Sequence, residues 1–170
     1  MNKVDDIQFH DVNSQNWRHF QQFANRILKT QYPDSLFRDF DNHEHLFYIA
    51  KLAVIDGMPI AGLKAYSIIS NDQGSKSRIL PTATYIETLV VDEIYQGKGL
   101  GSRMLQIIEQ ESWHCFIHDL MLHTPVNNSK TIQWYLSKGF IIKDTIIGHY
   151  NSTDIDASHS RDAYLLQKTI

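Results

Sequence analysis

Apolar residues along the chain change their period several times, and each change marks an element. Residues 7–12 read as a short first strand. Ser14 then offers an N-cap, and Trp17, Phe20, Ala24, Ile27 and Leu28 fall on one helical face. That helix should stop before Tyr32-Pro33, because the residue preceding a proline avoids the α region. Leu36, Phe37 and Phe40 predict a second short helix over 35–40. Residues 46–55 and 58–70 are strand-like runs joined at Asp56-Gly57, a hairpin signal. A polar loop is expected over 71–78. The run 82–91 is rich in Thr, Tyr, Ile and Val and predicts a central strand.

Beyond it, Met104, Leu105, Ile107 and Ile108 recur at helical spacing, which predicts a helix over 99–112. A strand over 120–124 ends at Pro125. A helix over 128–138 carries Ile132, Trp134 and Tyr135 and stops at Gly139, a C-cap position. Strands over 140–146 and 163–168 close the chain. Between them, 148–161 is a polar loop with His149 and Tyr150 near its start, and Asp154, Asp156, His159 and Asp162 along its solvated part. About seven strands and about four helices in this order suit one α/β sheet domain over 1–170, with hairpin and crossover connections. Such a sheet can open a crevice at the carboxyl ends of adjacent strands.

One junction carries chemistry. After the apolar strand core Leu89, Val90 and Val91 comes Gln96-Gly97-Lys98-Gly99-Leu100-Gly101-Ser102, and then a helix. Glycines before a helix let its first N–H groups approach a ligand, and the positive end of the helix dipole suits a phosphate. The dinucleotide fingerprint fails because position 104 is Met, and no Gly-Lys-Ser/Thr completes a P-loop.

What remains, Gln96-x-x-Gly99-x-Gly101 after a strand, resembles the acyl-CoA loop of the GCN5-related N-acetyltransferases. The segment from Asn128 through Tyr135 to Gly139-Phe140 resembles that family's second motif, with Thr131 where alanine is usual. Within the superfamily the chain is most similar to the NatE (San-type) N-alpha-acetyltransferases. The likeness lies in Tyr32-Pro33, Tyr85-Ile86-Glu87-Thr88-Leu89, Leu122-His123 and the ending from Ala163 to Lys168.

The resemblance implies a mixed, mostly antiparallel sheet and acetyl transfer from acetyl-CoA, without a metal, to the N-terminal amine of a protein or nascent peptide. It implies association with the NatA complex at the ribosome as well. Tyr85 and His123 would be the catalytic pair. Leu89, Val90, Val91, Gln96, Gly97, Lys98, Gly99, Leu100, Gly101, Ser102, Asn128 and Tyr135 would bind acetyl-CoA. Tyr32, Pro33, Leu36, Glu87, His149 and Tyr150 would border the peptide. The chain departs from the family in that groove: Tyr32, Asp34 and Leu36 replace the usual residues of the turn, Glu87 stands where methionine is frequent, and His149-Tyr150 replaces a Tyr-Tyr pair. Lysine or small-amine acetylation, and a weakly catalytic scaffold subunit, are the alternatives.

Composition narrows this further. A net charge of −3 argues against an overall electrostatic grip on nucleic acid. The single cysteine, Cys115, fits a reducing compartment. No apolar run approaches the ~18 residues of a membrane span, and the N-terminal stretch is too polar for a secretory signal. The expected home is the cytosol or the nucleus. His114, Cys115 and His118 have ligand-like spacing without an evident fourth partner, so no metal is expected there.

Acetyl transfer needs a neutral amine, a polarised thioester and a proton for the leaving thiolate. Among these residues His123 is the expected proton acceptor, through water. Tyr85, whose phenol titrates near 10 in reference peptides, would orient that water. A backbone N–H of the 89–91 segment would hold the thioester oxygen. Tyr135 would meet the sulfur, and Asn128 would cap its helix or touch the pantetheine.

Overall fold

In the computed structural model, residues 6–39, 45, 47–69, 80–151 and 157–170 are described. The expected loop over 71–78, the ends of two strand runs at Leu46 and Ser70, and Phe40, Asp154 and Asp156 lie outside them. The described elements run β1 (Gln8–Asp11), α1 (Trp17–Leu28), β2 (Tyr48–Ile55), β3 (Met58–Ile68), β4 (Ala83–Val91), α2 (Leu100–His114), β5 (Asp119–Pro125), α3 (Ser129–Ser137), β6 (Ile141–Ile146) and β7 (Ala163–Thr169). The seven strands form one sheet in the order β1-β2-β3-β4-β5-β7-β6. Only β4 and β5 are parallel.

Two local expectations change. The described part of 35–40 does not make an α-helix: Asp34–Leu36 is a single 3-10 turn, so three α-helices rather than four flank the sheet among the described residues. Proline at 33 leaves too short a run before the chain turns toward Asp39 for an α-helical nucleus to be repaid. Nor does Ser14 cap α1. Asn16 occupies the cap position, and its side chain instead accepts from the Asn13 N–H at 2.8 Å.

The central strands are buried on both faces, which is why β2 and β3 read as near-continuous apolar runs. On one face, Ile49, Leu63, Ile86, Leu120, Leu122 and Leu166 pack against Leu100, Met104, Leu105 and Ile108 of α2. On the other, Ala50, Leu52 and Val90 pack against Trp17, Phe20, Phe23 and Ala24 of α1, with Phe37 beyond them. Phe20 and Phe37 meet edge to face, centroids 5.1 Å apart, an arrangement worth about 0.5–1.5 kcal/mol beyond the area it buries. Gly62 lets α1 come this close, since a Cβ there would stand 2.4 Å from the Phe20 ring.

Two irregularities in β4 make room for a site. Lys64 pairs with Thr88 but Ala65 pairs with Ile86, so Glu87 is the extra residue of a bulge. A one-residue slip sends following side chains to the opposite face. Accordingly Ile86 belongs to the α2-side core and Val90 to the α1-side core. The second irregularity is the short parallel seam. β4 and β5 pair at Thr84↔Leu120 and Tyr85↔Met121 only, and then the strands part.

Candidate active site

The parting of β4 and β5 produces two adjoining cavities. One, of about 740 Å³, is lined by Leu89, Val91, Gln96, Gly97, Gly99, Gly101 and Ser102 on one side and by Lys130, Thr131, Gln133, Trp134 and Tyr135 of α3 on the other. The second, of about 480 Å³, runs between the wall formed by Leu28, Thr30, Tyr32, Pro33 and Leu36, the β4 segment from Tyr85 to Val90, and His123, His149, Tyr150 and His159. Leu89, Thr131 and Tyr135 line both cavities, so the two open onto each other at the splay.

The first cavity is built largely from backbone. Gly97 and Gly99 have φ of +73° and +83°, a left-handed conformation that favours glycine, and a Cβ on either would project into open space. Gly99 takes the N-cap position of α2, which has no side-chain cap, so the first helical N–H groups face outward. Gln96 ties the loop down: its Nε2 donates to the Val91 carbonyl at 3.0 Å while its Oε1 accepts from Lys130 Nζ at 2.6 Å. Outward N–H groups, a nearby lysine and a long cleft fit the pyrophosphate and pantetheine arm of acetyl-CoA.

Not every residue expected in this cavity lines it. Leu100 is 5% exposed and turns its side chain into the α2-side core, leaving only its backbone at the loop. Val90 is buried among the α1-side residues and lines the second cavity. Lys98 lines a separate small pocket of about 120 Å³ with Ile7, Tyr95 and Arg103. Asn128 caps α3, accepting from the Thr131 N–H at 3.4 Å, and its residue also borders the second cavity. Tyr135 is 5% exposed, wedged edge-on against Trp134 and Phe140. Burial pushes its phenol pKa up, so its proton is held firmly.

The second cavity is built from side chains on five distant segments. Tyr85 on β4 and His123 on β5 face each other across the seam, with Oη and Nδ1 2.9 Å apart. Burial, and then the neighbouring His149, lowers the His123 pKa to about 4, so the ring is neutral at ordinary pH. Burial and the charges that Tyr66 and Glu87 would carry raise the Tyr85 phenol, which keeps its proton. His149 stacks on His123 with centroids 4.0 Å apart and planes 21° apart, and Tyr150 meets His149 edge-on at 4.7 Å. The late loop is pinned there: Gly148 N–H donates to Asp162 Oδ1 at 2.8 Å, and Tyr150 N–H to the Arg161 carbonyl at 2.9 Å. Tyr32 and Asp34 are tied to α1 through Gln21, whose Nε2 donates to the Tyr32 carbonyl at 3.1 Å and to Asp34 Oδ1 at 2.8 Å.

Glu87 lines this cavity but is not a bare acid. Lys64, 1% exposed, places its ammonium 2.6 Å from Glu87 Oε2 and 2.6 Å from Asp39 Oδ2, and donates to the Leu36 carbonyl. Tyr48 also donates to Asp39, at 3.0 Å. Burial raises the Glu87 pKa, while the attraction of Lys64 opposes that rise. Lys64, Asp39 and Tyr48 were not singled out from the sequence. The one usable signal was Lys64 itself, a lone charge inside the apolar run 59–65 of a two-sided strand.

The acetyltransferase (GNAT) family model matches residues 12–140, well over half of the chain. Among solved structures, Arabidopsis thaliana Naa50 in complex with the bisubstrate analogue CoA-Ac-MVNAL is 24% identical. The match covers 97% of this chain and 99% of that one, with a TM-score of 0.75. Arabidopsis thaliana NAA60 in complex with acetyl-CoA is 20% identical over 96% of this chain and 99% of its own, also at 0.75. A chain of the NatC complex bound to Gag peptide and CoA is 20% identical over 97% and 99%, at 0.74. At these identities the likeness speaks for the fold. With the family match and a glycine-loop cleft shaped for its co-substrate acetyl-CoA, this chain belongs to the acetyltransferase (GNAT) family.

Proposed function

We propose that the protein transfers acetyl from acetyl-CoA to the α-amine of protein N-termini, preferring those that keep methionine before an apolar second residue. One observation carries this reading: the cavity walled by Tyr32, Pro33 and Leu36 leads past the Tyr85–His123 pair to the point where it joins the glycine-loop cleft. An apolar, irregular wall suits the flexible thioether of methionine. The solved neighbour bound to CoA-Ac-MVNAL carries a Met-first peptide and supports the same reading.

In the tautomer that leaves Nε2 open, His123 Nδ1–H donates to Tyr85 Oη, and the Tyr85 O–H is free to hold a water toward the amine. That water passes a proton from the amine to Nε2 as the nitrogen attacks. A backbone N–H on the open edge of β4 near Leu89 stands ready for the thioester oxygen. Tyr135 lines both cavities at their junction, and in this reading it meets the departing sulfur. An α-amine suits so modest a base, because it titrates about 2.5 units below lysine and offers far more neutral nucleophile near neutrality.

Glu87 supports a second reading, in which a cationic acceptor such as lysine, a small amine or a peptide with an early basic residue is drawn to its carboxylate. The ammonium of Lys64 weakens that pull. A panel of Met-first peptides, lysine peptides with blocked N-termini, and polyamines separates the two. The proposal expects a Met-first peptide with an apolar second residue to show the highest kcat/KM, and faster polyamine or lysine turnover would reject it. Work on nascent chains in the cytoplasm, alone or beside the NatA complex, belongs to the same proposal, and co-purification with ribosomes tests it.

A further inference from the structure

Each turnover must export a proton. An ammonium acceptor gives R–NH₃⁺ + acetyl-CoA → R–NH–CO–CH₃ + CoA–SH + H⁺. The C–S bond breaks and the C–N bond forms. One of the two protons lost from nitrogen ends on sulfur, and the other leaves for water. The base that first takes it is His123, half-buried on β5, where an imidazolium is poorly solvated. An imidazolium there gives up its proton readily and needs a route outward for it.

We infer that His149 is the outlet, receiving the proton from His123 and releasing it to solvent. The geometry is that of an inside-to-outside pair. His123 is half-buried, His149 is exposed, and their rings lie face to face at 4.0 Å. Parallel rings turn no nitrogen toward each other, so the transfer runs through a water at their common edge: the His123 Nε2–H bond breaks and an N–H bond forms on His149. Moving the charge from the half-buried ring to the exposed one restores its hydration, which drives the step outward. The step leaves His123 neutral for the next amine.

The other titratable groups around the pair are Tyr85 and Glu87 on β4, Tyr32 on the wall after α1, and Tyr150 and His159 on the late loop. The Tyr85 and Tyr150 phenols are raised by burial and hold their protons. Glu87 is held in its ion pair with Lys64. His159 lines the same cavity, but no ring contact joins it to His123 among the described residues. The inference rests on His123 as the base proposed above and on an amine acceptor, and stands apart from the choice of peptide.

The test is His149→Phe, which keeps an aromatic ring for the stack and removes the proton carrier, with His149→Gln as a second variant. The acceptor is whichever amine the wild-type protein turns over fastest. The expected result is a fall in kcat of about tenfold or more, within reach of a positioned proton carrier. Acetyl-CoA KM should stay unchanged, and added imidazole should recover the rate in both variants. A purely packing role predicts that Phe retains activity and that imidazole does nothing. Wild-type kcat in either variant, a change confined to acceptor KM, or a lost rate that imidazole fails to restore would overturn the inference.

Discussion

The two cavities that meet at Leu89, Thr131 and Tyr135 are built in opposite ways. The glycine-loop cleft, proposed for acetyl-CoA, is mostly main chain: a strand edge, a glycine loop, and the start of one helix, contiguous from Leu89 to Ser102, closed by α3. The second cavity, proposed for the acceptor, is mostly side chain, drawn from the turn after α1, the β4 bulge, β5 and the late loop. Backbone donors tolerate wide changes of side chain, so the first cleft can stay constant while the second is remodelled. The departures at Tyr32, Leu36, Glu87 and His149 all line the second. Chemistry and acceptor choice are thus separable within one sheet.

Substitutions on the two sides should therefore fail differently. The largest effect is expected for His123→Ala, which should lower kcat by about 10²–10⁴-fold, the usual contribution of a positioned base. Its acetyl-CoA affinity, read by calorimetry, should stay near wild type. Next, Gly99→Val puts a β-branched residue at φ +83°. It should weaken acetyl-CoA binding by about tenfold to a hundredfold, since such strain costs on the order of 1–3 kcal/mol. Peptide KM at saturating acetyl-CoA should hardly move. Tyr85→Phe should cost roughly tenfold in kcat, the worth of one hydrogen bond at a reacting centre. If Gly99→Val and Tyr85→Phe gave the same pattern, the division between the two cavities would be wrong.

Stability should sharpen the contrast. Lys64→Met strands Glu87 and Asp39 in a buried site, and breaking such a pair costs about 3–5 kcal/mol. A combined Lys64→Met and Glu87→Met change should recover part of that loss in thermal melts.

The smallest expected effect is on pH. His123 falls from its ordinary 6.5 to about 4 in the fold. A depressed value means that the unfolded chain binds the proton first. The stability His123 contributes is therefore present above pH 6.5 and lost as pH falls toward 4. Allowing for solvent screening of a half-exposed ring, the loss is about 1 kcal/mol. His123→Gln should flatten that portion of the melting curve against pH, and an unchanged slope would contradict the assignment.

The same division explains what could be read in the chain. The glycine loop was legible because its parts are neighbours in sequence: Gln96, Gly99 and Gly101 follow their strand and precede their helix directly. The hairpin at Asp56-Gly57 and the Gly139 stop were legible for the same reason. Tyr85 and His123 came from a family likeness, since nothing local announces that residues 38 apart will touch. The ion pair of Lys64 with Glu87 and Asp39 depends on a bulge, a register slip that no period reveals. At Asp34–Leu36 a helix-like apolar spacing gives only a 3-10 turn, because Leu36 lines the second cavity while Phe37 is buried in the α1-side core. The stack of His149 on His123 rests on hydrogen bonds that Gly148 and Tyr150 N–H groups donate to Asp162 and Arg161, residues more than ten positions away.

The acceptor assignment can be put to a direct competition within one molecule. A peptide beginning Met-Leu, with a free N-terminus and one internal lysine, would be incubated with the protein and acetyl-CoA, and the acetylated position read by fragmentation mass spectrometry. The account predicts acetyl on the methionine α-amine, with the lysine ε-amine modified far more slowly. Acetyl on the lysine while the α-amine stays free would contradict it.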